Sequence, residues 1–312
     1  MSCHETVSSC ASYKGSEEAI AFYMNIHFRG TCVAIGQFSD TVAGLQNLIS
    51  EGRLLMRIGV ISDIHGNSIA LDAVLRRIEK DKLDEVVCLG DLAFKGPTPS
   101  ECVGTIKSLG IPCVFGNTDL YLLSVVDGLK PTHSIAYKPN VAEIPYLQWH
   151  TSRMSSSDID FLSQLPFEYR LKVDGQQLLF VHGTPQDCFS AIQPTDSLEQ
   201  LDSATQTADA DWIFMGHIHR PFVFKHLYVM LVNAGAIGFS LDRDWRASYC
   251  IVDTSTKSVC LNRIEYDIAD SVRVAKEVDF CFSPDWYGEA LQSGFWEPVP
   301  YEKRKSVDNF PK

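Results

Sequence analysis

Five times along this chain a short apolar run stops abruptly at polar, metal-liking residues. RIGVIS precedes Asp63-Ile64-His65, EVVCL precedes Gly90-Asp91, and IPCVF precedes Gly116-Asn117-Thr118-Asp119. LLFV precedes His182-Gly183, and WIFM precedes Gly216-His217-Ile218-His219. Runs of this length, rich in Val and Ile, have the pattern of strands buried on both faces. In an open α/β sheet the carboxyl ends of such strands share one edge, and ligands collect there. Topology alone therefore predicts that two Asp, one Asn and four His converge.

The intervening segments support that topology. From Met56 onward the spacing predicts a strand over 57–62, then a helix over 67–80 with Ala70, Val74 and Ile78 on one stripe. A strand over 85–89 and a helix over 99–109, with Cys102, Ile106 and Leu109 inward, lead to a third strand over 111–115. This βαβαβ order implies a largely parallel first sheet with right-handed connections. Helices follow over 120–126 and 157–164. The second half is richer in strands, and those over 169–173 and 177–181 meet at Asp174-Gly175, a hairpin turn pair. A helix over 196–208 and strands over 212–215, 222–225, 228–232, 247–252 and 259–266 complete the β run, and a helical stretch over 268–278 follows. Two mixed sheets stacked face to face with helices outside account for both halves, since neither half covers its own sheet.

The donor set narrows the chemistry. Asp63, Asp91, Asn117, His65, His182, His217 and His219 offer oxygen and nitrogen but no sulfur, which suits Mn, Fe, Zn, Co or Ni and argues against calcium or iron–sulfur chemistry. In D-x-H and H-x-H, alternate residues of an extended chain point the same way, so both members reach one ion or a close pair.

The order D-x-H, G-D, G-N-x-D, H-G, G-H-x-H resembles the calcineurin-like metallophosphoesterase superfamily over about 56–266. GNTDLYL, LLFVHGTP, GHIHRPFV and LVNAGAIG resemble its small bacterial and archaeal phosphodiesterase branch. The resemblance implies a four-layer αββα sandwich and two divalent metal ions. It assigns Asp63, His65 and His219 to the first ion and Asn117, His182 and His217 to the second, with Asp91 between them. Asp91 and Asn117 are the expected catalytic positions. Paired cations of this kind clamp phosphoryl oxygens and lower the pKa of a water to near neutrality. The superfamily motif reads G-N-H-[DE], and here Thr118 takes the place of the His, so a His-assisted leaving-group step is not expected. Substrate contacts are expected from Arg220, which follows the H-x-H and suits a bidentate phosphate contact, and from Thr118, Asp119 and His150. Asp119 has a second expected role as a helix cap, and His133 is a further free histidine.

Composition sets the outer limits. At 45% hydrophobic and 21% charged, the 312 residues suffice for a real core. A net charge of −12 without a Lys/Arg stripe argues against a broad face for long nucleic acid, so the expected partner is a small phosphorylated substrate. Ten cysteines without a C-x-x-C pair read as apolar filler in a reducing cytoplasm rather than a disulfide framework. No apolar run reaches the 18 or so residues of a membrane span. Residues 1–55 are expected to be a dispensable extension, 56–266 the catalytic domain, and 267–312 a segment whose Trp286, Tyr287, Phe295 and Trp296 pack on it or in a homo-oligomer. The expected activity is a phosphodiesterase on a small or nucleotide-like substrate. Phosphomonoesterase, nucleotide pyrophosphatase and a metal-free scaffold are the alternatives.

Overall fold

A computed structural model describes residues 31–34, 55–129 and 138–295 of the chain. The first sheet contains β1 (Thr31–Ala34), β2 (Arg57–Ile61), β3 (Glu85–Cys88), β9 (Ala247–Asp253) and β10 (Ser258–Ile264) in the order β1-β10-β9-β2-β3. The second contains β4 (Glu168–Val173), β5 (Gln176–Val181), β6 (Trp212–Met215), β7 (Phe222–His226) and β8 (Val229–Asn233) in the order β4-β5-β6-β8-β7. Both are mixed. The pair β2–β3 is parallel, as is the run β5-β6-β8, while β9 runs antiparallel to β2.

Strand alternation builds the layers. Ile58 and Val60 turn inward to meet Leu178, Phe180, Trp212 and Phe214 of the second sheet, and Ile61 points outward to the helices. Phe180 stacks on Phe214 at 4.8 Å between ring centres in that inner layer. Over the first sheet lie α1 (Ser68–Asp81), α2 (Pro99–Leu109), α3 (Asn117–Leu123), α4 (Ile144–Thr151) and α5 (Ser156–Gln164). The short α6 (Leu198–Thr205) covers the second sheet through Leu201 against Leu179, Ile213 and Leu231. This is the expected αββα sandwich. Helix α1 shows the local logic: Asn67 Oδ1 caps it by accepting from the Ala70 N–H, and its buried stripe is Ala70, Leu71, Val74 and Ile78. Each of the larger aliphatics among them contributes about 1.5–3 kcal/mol by leaving water. Helices α7 (Ile268–Glu277) and α8 (Pro284–Ser293) close the described chain, packing Phe280, Trp286 and Tyr287 against Trp149 of α4 and Phe239.

Several sequence expectations shift. The third strand shrinks to a single bridge, Cys88 to Cys113. Pro112 has no N–H, and the Phe115 N–H donates to the Pro166 carbonyl, so the ladder cannot extend. Leu109 is 47% exposed, and Val103 joins Cys102 and Ile106 on the buried face instead. Helices α4 and α8, both with Pro in the first turn, lie where no period marked a helix. Thr31–Ala34 pairs antiparallel with β10 inside a region where the sequence marks no element; the rest of 1–54, His133 and Trp296 lie outside the described residues. Cys260 is disulfide-bonded, contrary to ten unbridged thiols, while Cys88, Cys102, Cys113, Cys188, Cys250 and Cys281 are free and buried. Among the described residues no helix is long and apolar enough to cross a membrane.

Candidate metal centre

All five motifs leave the carboxyl ends of their strands or bridge on the same edge of the sandwich. The loops are stitched by backbone bonds: the His65 N–H donates to the Asp91 carbonyl at 2.8 Å, Gly66 N–H to Leu92 at 2.9 Å, and Gly216 N–H to His182 at 2.9 Å. Gly90 turns with φ 91°, the left-handed region open to glycine. Gly116 and Gly216 are needed for space instead, because a Cβ there would collide with the carboxylates of Asp91 and Asp63.

One donor atom each from Asp63, His65, Asp91 and His219 falls within a 4.8 Å cluster, and all four residues are buried. The ring orientation is fixed from behind. His65 Nδ1 faces the Phe94 carbonyl at 2.9 Å, His219 Nδ1 faces the Phe239 carbonyl, and His182 Nδ1 faces the Leu89 carbonyl at 2.7 Å. A carbonyl only accepts, so each Nδ1 carries the proton and each Nε2 of a neutral ring presents a lone pair. His65 Nε2 and His219 Nε2 then meet at 3.0 Å, and Asp63 Oδ1, buried with no hydrogen-bond partner, lies 3.1 Å from His219 Nε2. Three electron-rich atoms pointed at one another fit a cation between them.

Asp91 stands between this group and the next. Its Oδ2 is 3.5 Å from His65 Nε2 and 3.5 Å from His182 Nε2. Beyond it, Asn117 Oδ1 lies 3.0 Å from His182 Nε2 and 2.9 Å from His217 Nδ1. The structure thus brings together all seven residues singled out by sequence.

Electrostatics agree with the geometry. Burial raises the Asp63 carboxyl, but His219, then His182 and His65, outweigh it and hold the group well below the usual range. Asp91 is lowered in the same way, with burial opposed by His182 and His65. Burial, with Lys95 and His219, lowers His65 and keeps it neutral. His182 is raised, because Asp91 and Asp63 outweigh its burial.

The four expected substrate contacts fare differently. Thr118 donates its N–H to Asp91 Oδ1 at 2.8 Å, and its buried Oγ1 has no hydrogen-bond partner. Asp119 is fully buried behind the loops and accepts three backbone N–H bonds; burial and the Asp91 charge push its carboxyl up to about 7. Arg220 is exposed and donates from Nε to the Leu241 carbonyl at 2.9 Å. His150 is a core histidine: it is fully buried, edge-on to Phe94 and Trp149, donates from Nδ1 to the Tyr146 carbonyl, and burial lowers it to about 4. Asp119, Arg220 and His150 therefore stand outside the donor cluster.

Lys95 is a residue that the motifs alone do not single out. It follows Asp91 by four positions, is half-buried with φ 82°, and its charge acts on Asp91 and His65 while burial lowers its own pKa against the opposing charges of Asp91 and Asp63. The available signal is a cation inside a motif loop of an acidic chain. Ser62 is another such residue, donating from Oγ to Asp63 Oδ2 at 2.7 Å.

Comparison with known proteins agrees with this geometry. The profile of the calcineurin-like phosphoesterase superfamily domain matches residues 56–257. An uncharacterized protein of Methanocaldococcus jannaschii is 31% identical over 255 residues, covering 76% of this chain and 98% of that protein. A symmetrical bis(5'-nucleosyl)-tetraphosphatase of Nitrosococcus oceani is 33% identical over 172 residues, covering 53% of this chain, and this chain spans 56% of its length. The crystal structure of a metallophosphoesterase from Sphaerobacter thermophilus superposes with a TM-score of 0.62 at 27% identity, over 77% of this chain and 100% of that one. The chain belongs to the calcineurin-like phosphoesterase superfamily and is a divalent-metal-dependent phosphoester hydrolase.

Proposed function

We propose that the chain is a phosphodiesterase with a binuclear centre, acting on a small or nucleotide-like substrate. Asp63, His65, His219 and Asp91 would hold one divalent ion, and Asn117, His182, His217 and Asp91 the other. The observation that carries this is the 3.0 Å approach of two Nε2 lone pairs, His65 to His219, beside an unpartnered Asp63 oxygen. Divalent ions in such a site supply Lewis acidity and water activated near neutral pH.

The chain's own groups divide the remaining work. Asp91 Oδ1 is held by the Thr118 N–H, which leaves Oδ2 to face both halves. Asn117 Oδ1 lies beside His182 Nε2 and His217 Nδ1, where it would join them as a donor to the second ion. Lys95 supplies local positive charge for a phosphate in a chain whose net charge is −12. Thr118 has no acidic proton near pH 7, and His150 is buried in the core, so neither protonates the leaving oxygen. That favours diesters with good leaving groups over alkyl monoesters. The relation to the tetraphosphatase supports a second reading, cleavage of a phosphoanhydride between nucleosides, whose leaving group is likewise a good one. The free, buried thiols of Cys88, Cys102, Cys113, Cys188, Cys250 and Cys281 support a cytoplasmic setting, with the Cys260 disulfide standing against it.

A panel of Mn, Fe, Zn, Co and Ni against aryl diesters, aryl monoesters and dinucleoside polyphosphates tests the proposal. Metal-dependent turnover should be highest on diesters or dinucleoside polyphosphates and should vanish with a chelator. Turnover unaffected by chelation, or highest on alkyl monoesters, would refute it.

A further inference from the structure

Resting on that binuclear reading, we infer that Asp119 is a positioning residue: it latches the Asp91 loop to the start of α3 and so sets where the shared carboxylate stands between the two halves. Its Oδ2 accepts from the Asp91 N–H at 2.9 Å and from the Gly116 N–H at 2.8 Å, and its Oδ1 accepts from the Leu92 N–H at 3.0 Å. The tie is returned, since Asp91 Oδ1 accepts from the Thr118 N–H at 2.8 Å. Each carboxylate takes a backbone N–H from the other's loop.

Helix capping explains only one of these bonds. A carboxylate in the first turn caps by reaching back to the residue before the helix, which here is the Gly116 bond. The bonds to Asp91 and Leu92 span 28 and 27 residues and do nothing for α3 itself. They fix the peptide that carries Asp91, while the Thr118 bond fixes the side chain. The outcome is one carboxylate oxygen, Asp91 Oδ2, held 3.5 Å from a histidine of each half. A fully buried carboxylate is costly unless its lone pairs are filled, and Asp119 has them filled by the residues whose position matters.

Asp119→Asn keeps the shape but turns an amide N–H toward donors. Groups that orient metal ligands typically cost 10–100-fold in affinity or activity when changed. The variant should therefore bind Mn(II) tens of times more weakly by calorimetry, lose the exchange-coupled two-manganese signal in electron paramagnetic resonance, and fall in kcat with little change in KM. Asp119→Glu, which retains both acceptors, should recover part of the affinity. Ser155→Ala removes a comparable cap from α5 and should lower the melting temperature without moving the Mn(II) isotherm. A folded Asp119→Asn protein with the wild-type isotherm and coupled signal would overturn the inference, as would an equal shift in Ser155→Ala. If the Asn variant does not fold, a wild-type isotherm and coupled signal in Asp119→Glu overturn it instead. Failure of the wild type itself to bind Mn(II) removes the centre and the latch together, which separates that failure from a fault in the latch alone.

Discussion

The two halves of the proposed centre are built from similar donors but sit differently in the protein. Asp63, His65 and His219 are all buried, and two of their rings are backed by carbonyls of neighbouring loops. Asn117 and His182 are buried too, but His217 is partly exposed, and burial with the nearby His182 lowers it. The closed half thus has desolvated, preset ligands, and the open half meets solvent on the His217 side. A preset site binds its ion tightly, and an open one leaves room for substrate.

Removing the shared ligand should collapse the distinction altogether. Asp91→Ala is expected to reduce turnover on the order of 10³-fold or more and to lower metal content in both halves; two equivalents still bound in that variant would break the assignment. Single-half substitutions sharpen the contrast. His219→Ala should weaken metal binding ~100-fold and His217→Ala nearer ~10-fold, read by metal titration, and the reverse order would mean that the exposed half is the tighter one. Substrate chemistry probes the open side. Across a diester series the rate should fall steeply with leaving-group pKa, since a positioned acid typically contributes ~10²–10⁴-fold and neither Thr118 nor His150 can serve as one. A flat series would reveal an acid not yet recognised.

Acid stability reports on the wall behind the closed half, where the Phe94 ring meets His150 and the Phe94 carbonyl accepts from His65. His150 has a folded pKa lowered to about 4 from 6.5, so its contribution is full above pH 6.5 and is lost as pH falls toward 4. The loss reaches about 3 kcal/mol at the low end. Urea unfolding of His150→Phe should show a correspondingly shallower decline than the wild type over that window; parallel curves would contradict the burial. The smallest effect is expected at the N-terminus. A chain starting at Met56 retains every donor of both halves and should keep its specific activity and nearly its melting temperature. Loss of solubility on that truncation would show that pairing such as Thr31–Ala34 with β10 matters to the domain.

The donor set was legible in the sequence because strand ends converge by topology, which depends only on alternating runs. The same cue failed at Ile111–Phe115, where Pro112 and the bond from Phe115 to Pro166 interrupt a ladder that looks continuous as letters. Substrate contacts were the weakest part. His150 and Asp119 were chosen for chemical type, but burial decides their role, and burial depends on Phe94, Phe280 and the Asp91 loop coming from elsewhere in the chain. Helix α8 carried a Ser283 cap, Pro284 and Gly294 in plain view, yet its apolar residues are too aromatic and too crowded to show a period.

Asp63, His65, Asp91, His217 and His219 all adopt positive φ, between 49° and 68°, without being glycine. Left-handed backbone costs an L-residue roughly 1–2 kcal/mol, so the site holds its donors against their own preference. Activity and robustness therefore pull apart in this scaffold. In the presence of chelator, His217→Gly should melt higher than the wild type although it lacks a ligand, and added metal should reverse the ranking. A lineage drifting without selection for hydrolysis would be rewarded for losing these side chains, so their joint presence marks a chain still held to its chemistry.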